Sequence, residues 1–150
     1  MTFAVADLRT HLLGRWQVQR TMLDRATGSR GNFTGTVVFT ADSAPGSTAG
    51  SLRQSENGTA VWPTFAGPAF REYRLVPTGS PAAMQVLFDD GRPFHDLDLS
   101  QGTWTASHWC TPDTYQVRFS SPSPDRLDYE WDVTGPAKDL LLSTTLLRLR

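Results

Sequence analysis

Apolar and polar residues alternate along most of this chain, and the period changes only once. Phe3, Val5, Leu8, Leu12 and Leu13 recur at roughly helical spacing, which predicts one short amphipathic helix ended by Gly14. From Arg15 onward the period is two. Trp16, Val18, Arg20 and Met22 share one face of a first strand, and Phe33, Val37 and Phe39 share one face of its return strand. Gly35 in that second row predicts a bend or close packing. Residues 41–50, rich in Ala, Ser, Pro and Gly, form a loop. Asn57-Gly58 predicts a two-residue hairpin between strands at 51–56 and 59–65, the second arm weakened by Pro63. Strands follow at 70–76, 83–88, 94–99, 103–110, 114–120, 127–133 and 140–150.

The stretch from Phe88 to Tyr115 carries two of the three histidines, the cysteine and two tryptophans. Gln101-Gly102 predicts a tight hairpin loop there, placing His95 opposite His108, Leu97 opposite Ala106 and Leu99 opposite Trp104. Cys110 continues the row of Trp104, Ala106 and His108. That row is apolar at one end and so faces an interior. About ten consecutively joined strands after one helix predict an all-β, antiparallel up-and-down barrel, in which closure removes the sheet edges. Residues 1–150 form a single domain without internal repeat or linker.

Composition narrows the partners. The hydrophobic fraction is 39% with five Trp, enough for a real core, and the formal net charge of -1 argues against nucleic acid. All basic residues but Lys138 are arginine. One cysteine makes no internal disulfide. Asp7 and Arg9 interrupt the apolar start, so it has no signal-peptide core, and no window approaches a membrane span. The expectation is a cytoplasmic protein with a small-molecule partner and no membrane or nucleic acid; oligomeric state, a homodimer included, is left open.

Gly14-Arg15-Trp16 after the helix resembles the Gly-x-Trp signature of lipocalins and their calycin relatives. The resemblance implies a Trp plugging one barrel end beneath an Arg from the last strand, here Arg148 or Arg150. A wider resemblance is to small bacterial proteins of lipocalin-like type. It rests on Gly14-Arg15-Trp16 with Arg20 and Asp24, on Arg71-Glu72-Tyr73, on Phe88-Asp89-Asp90-Gly91-Arg92-Pro93-Phe94-His95, on His108-Trp109-Cys110-Thr111-Pro112-Asp113-Thr114-Tyr115, and on Gly135 to Asp139. It implies a calycin-type barrel and points at residues without supplying an activity.

A barrel of this size encloses room for one small ligand. The inward rows place Trp16, Arg20, Arg71, Tyr73, His95, His108, Cys110, Tyr115, Tyr129 and Trp131 on its lining. Burying an unpaired Arg is costly, so Arg20 and Arg71 either pair with an internal acid such as Glu56 or await an anion. The first reading is a carrier of a small, partly apolar molecule bearing a negative charge or a carbonyl. The alternative is an isomerase, cyclase or hydrolase with His95 and His108 as an acid–base pair, Tyr115 beside them, and Arg20, Arg71 and Tyr73 positioning substrate. Cys110 activated by His108 is a further candidate nucleophile. A lesser alternative is metal binding by His95, His108 and Cys110, or haem on one histidine. No cofactor is specified by the sequence. The facing histidines also suit a hydrogen-bonded brace of the barrel wall. Asp89 to Pro93 is a turn that braces itself through Arg92 or gates the mouth, and His11 is expected at the surface.

Overall fold

The computed structural model describes residues 2–150. One short helix, α1 (Leu8–Leu12), precedes ten strands: β1 (Gly14–Asp24), β2 (Ser29–Ala41), β3 (Leu52–Trp62), β4 (Phe65–Pro77), β5 (Ala83–Phe88), β6 (Pro93–Asp98), β7 (Thr103–Cys110), β8 (Asp113–Ser123), β9 (Arg126–Thr134) and β10 (Asp139–Leu149). They form one antiparallel sheet in the order β6-β5-β4-β3-β2-β1-β10-β9-β8-β7. The expected all-β, up-and-down barrel is therefore present and nearly closed. Closure runs through the two ends of the chain, with β1 paired to β10 and Trp16 opposite Arg148.

The open seam lies between β6 and β7, where the sequence predicts a hairpin. That expectation fails. β6 pairs with β5 only and β7 with β8 only, so His95 stands opposite Val86 and His108 opposite Tyr115. Leu99 to Gly102 still turns the chain, with Gly102 at φ 77°. Its flanks, however, are held elsewhere: Ser121 N–H donates to Gly102 O and Val5 N–H donates to Leu99 O. The seam is stitched by side chains instead of a ladder. Trp104 Nε1 reaches across to donate to Asp96 O at 2.7 Å.

Two other expectations are corrected. The helix is one turn, N-capped by Asp7, and Phe3 to Val5 run extended across the strand ends, with Phe3 N–H donating to Ser121 O. Asn57-Gly58 is not a turn. β3 runs straight through it, Gly58 lies opposite Gly35 on one side and Ala69 on the other, and the real reversal is at Pro63-Thr64. Here the glycines serve close approach. A Cβ on Gly58 would strike the Thr34 carbonyl and the Phe33 ring, and one on Gly35 would strike the Asn57 carbonyl. Gly58→Ala is expected to destabilise by about 1–3 kcal/mol, as overpacking does. An unchanged urea midpoint would show that the strands part freely.

At the closed end Trp16 lies beneath Arg148 of the last strand. Trp16 is fully buried, its Nε1 donates to Leu12 O at 2.9 Å, and the Arg148 guanidinium lies 4.1 Å from its ring centroid. Arg148 also binds His11 O and Asp125, whereas Arg150 binds only Asp125. His11 is not at the surface: its ring packs between Phe3 and Trp16, and its Nε2 is buried without a partner.

Candidate functional site

The opposite end of the barrel is open, and it gathers three stretches that are far apart in sequence. The β5–β6 turn brings Phe88 to Phe94, the β7–β8 turn brings His108 to Tyr115, and the β9–β10 turn brings Lys138. With Arg71 and Tyr73 from β4, they line a cup of about 640 Å³.

Local chemistry sets the rim. Gly91 takes φ 90° in the β5–β6 turn, Asp90 Oδ1 accepts from Arg92 N–H, and Asp90 Oδ2 accepts from Arg92 Nε at 2.7 Å. These bonds, the backbone one foremost, hold the Asp90 carboxyl below the usual range. Arg92 therefore braces its own turn, with its guanidinium over Phe88. Lys138 Nζ donates to Tyr115 Oη at 3.1 Å and lies 3.5 Å from Asp113. Arg71 differs from both, since it makes no ion pair among the described residues.

Beneath the cup lies an aromatic layer that the sequence did not reveal. Register slips between Val86 and Leu87, opposite His95 and Pro93, so Phe94 is an extra residue on β6. The bulge turns Phe94 and His95 both toward the interior. Phe94 stacks on Trp131 at 4.9 Å and 4°, on Phe88 at 4.4 Å, and stands edge-on to His95 and His108 at 4.9 and 5.2 Å. The expected direct pair of imidazoles is thus replaced by two imidazoles on either side of one phenyl ring.

Below this layer is a second, much smaller cavity of about 50 Å³. Its charged floor is self-contained. Arg20 and Glu56 form a buried bidentate pair at 2.7 and 3.1 Å, and Arg20 also donates to Thr144 Oγ1 and Tyr129 Oη. Burial works against the Arg20 charge, but Tyr129 and Glu56 outweigh it and the pKa rises further. Burial raises the Tyr129 and Tyr73 phenols, with nearby Arg20 and Arg71 opposing it. His95 Nδ1 donates to Asp96 O at 2.7 Å. Burial lowers its pKa, against the pull of Asp96. A neutral ring with Nδ1–H so engaged leaves Nε2 as a bare acceptor toward the cavity.

The predicted residues are thus shared out between the two spaces. Arg20, His95 and Tyr129 line the inner cavity; His108, Cys110 and Tyr115 line the cup; Arg71, Tyr73 and Trp131 line both. Trp16 lines neither, because it fills the closed end. Cys110 has the expected parity but is exposed at the rim, not buried. His95, His108 and Cys110 do not converge, and among the described residues no three His, Cys, Asp or Glu side chains are placed to hold a metal. Sequence reasoning missed Gln54, Phe88, Phe94 and Lys138. Gln54 shares the inward row of Leu52 and Glu56 and could have been found by alternation.

The family described as "Family of unknown function (DUF6314)" matches residues 12–148. No curated protein matches the chain. Among solved structures, an S-type phycobiliprotein lyase, CPES, from Guillardia theta is similar at 14% identity and TM-score 0.71, over 99% of this chain and 94% of that one. A protein of the DUF3598 family from Nostoc punctiforme is similar at 15% identity and TM-score 0.61, over 94% of this chain and 49% of that one. A de novo designed fluorescence-activating β-barrel is similar at 13% identity and TM-score 0.51, over 97% and 100%. At these identities the likeness is one of fold.

Proposed function

This chain belongs to the DUF6314 family, whose description assigns no function, and we propose from its own site that it binds a small, flat, partly apolar anion in the cup at the open end of the barrel. The observation that carries this is the unequal state of the three rim cations. Arg92 is committed to Asp90 and Lys138 to Asp113 and Tyr115, whereas Arg71 faces the cup beside Tyr73 and Phe94 with no carboxylate of its own. A guanidinium beside stacked aromatic faces suits a conjugated carboxylate, which offers a bidentate acceptor and a flat apolar body. The cup is large enough for such a ligand, and the inner cavity alone is not. The shared fold with a protein named as a phycobiliprotein lyase and with a fluorescence-activating barrel is consistent with this reading.

Trp109 and Trp131 line the cup, so quenching of tryptophan fluorescence reports occupancy. Anthracene-9-carboxylate is expected to bind at least about tenfold more tightly than 9-anthracenemethanol, and Arg71→Gln to reduce that preference to about twofold or less. Equal affinity for the two probes in the unaltered protein would sink the proposal. A second reading, an enzyme of the same architecture, is favoured by the neutral His95 with its free Nε2, which has the form of a general base. It needs a second acid–base group beside His95, and His108 is separated from it by the Phe94 ring, so the carrier reading is preferred.

A further inference from the structure

The inner cavity has a chemistry of its own. Its ions satisfy each other, since both Glu56 oxygens are taken by Arg20. Arg71 borders this space too, but in the cup reading it belongs to the anion. What otherwise faces the space uncommitted is neutral: the Gln54 amide, which makes no side-chain hydrogen bond among the described residues, His95 Nε2, and the O–H of Tyr129, whose oxygen already accepts from Arg20. The space is thus offered donors and acceptors together, and no unpaired charge other than that of Arg71. At about 50 Å³ it holds roughly three to five waters or a planar group of about four heavy atoms. Leaving buried polar groups without partners is unfavourable, so an occupant must both donate and accept.

We propose that this inner cavity is a subsite for a neutral amide-like head, a carboxamide or urea, whose N–H is accepted by His95 Nε2 and whose carbonyl receives the Gln54 amide and the Tyr129 hydroxyl. The subsite deepens the binding function proposed for the cup, because Arg71, Tyr73, Phe94 and Trp131 line both spaces. A ligand held by its anionic body above the stack of Phe94 on Trp131 reaches the inner groups with its other end once that stack parts. With Arg71 engaged by the anionic body, an ionised head finds no counter-charge there, as Arg20 and Glu56 have no free valence and burial disfavours charge.

The test uses a head group alone. Acetamide is titrated into the full chain labelled with nitrogen-15, with acetone as the control that keeps the carbonyl and lacks the donor. The expected result is saturable shifts of the Gln54 side-chain amide and the His95 imidazole nitrogens at about millimolar acetamide, absent with acetone. His95→Phe and Gln54→Leu, each verified as folded by its own amide spectrum, are expected to weaken binding about tenfold or more. Two variants guard against one failing to fold. No saturable shift, equal shifts with acetone, or shifts confined to exposed residues overturn the subsite. Acetamide carries no charge, so its failure leaves the carboxylate reading standing. Failure of anthracene-9-carboxylate with acetamide binding retained does the reverse.

Discussion

Glu56→Ala should lower the stability of this barrel by about 3–5 kcal/mol, a large share of what a domain of this size has. The substitution leaves Arg20 buried with only Thr144 Oγ1 and Tyr129 Oη as hydrogen-bond partners, both neutral. An isolated buried guanidinium is far costlier than the pair was beneficial. For that reason Arg20→Met combined with Glu56→Leu should recover most of the loss, although it deletes two residues in place of one. Urea denaturation monitored by tryptophan fluorescence supplies both numbers. A loss below about 1 kcal/mol for Glu56→Ala, the range of exposed pairs, would show that water reaches the floor of the barrel.

Trp16→Ala should cost a comparable amount, about 3–5 kcal/mol, for a different reason. The indole is fully buried and fills the closed end, its N–H satisfied by Leu12 O. Its removal leaves a void under α1 and a guanidinium without its ring. Arg148→Ala removes the cover and spares the plug, so it should cost only about 0.5–2 kcal/mol from the lost cation–π contact. The two changes share one contact and should be sub-additive when combined. Equal losses for the two single variants would mean that Arg148 holds this end through Asp125 and the His11 carbonyl and not through the indole.

What the sequence shows well is parity. Inward rows on β1 and β2 were read correctly because alternation is local and each strand pairs with its neighbour in sequence. The Gly-x-Trp resemblance pointed to Trp16 and to Arg148 or Arg150, and the structure puts Arg148 over the indole. Parity says nothing about where the sheet is cut. The Leu99 to Gly102 turn has ordinary hairpin chemistry, but its strands belong to opposite edges of a curled sheet, and only the pairing of β1 with β10 decides that. Asn57-Gly58 misleads in a similar way, because glycine is called for there by the Thr34 carbonyl of the next strand and not by a turn. Phe94 was hidden by a one-residue bulge, which alternation cannot report. Cys110 had the right face, but its strand end lies at the rim, leaving the thiol in solvent.

The closure of the barrel by its first and last strands orders events during synthesis. From β1 to β9 each strand can zip onto its predecessor as it emerges, except β7, which the seam separates from β6. The outer edge of β1 faces no partner until β10 has been made. Through most of translation the chain therefore carries an uncovered row of amides and carbonyls along the strand that bears Trp16, Val18 and Arg20. Such an edge invites pairing with a neighbouring nascent chain. The step that ends the hazard joins residues from opposite ends of the chain, and that long-range closure sets a slow folding rate, milliseconds to seconds by the usual topology scale.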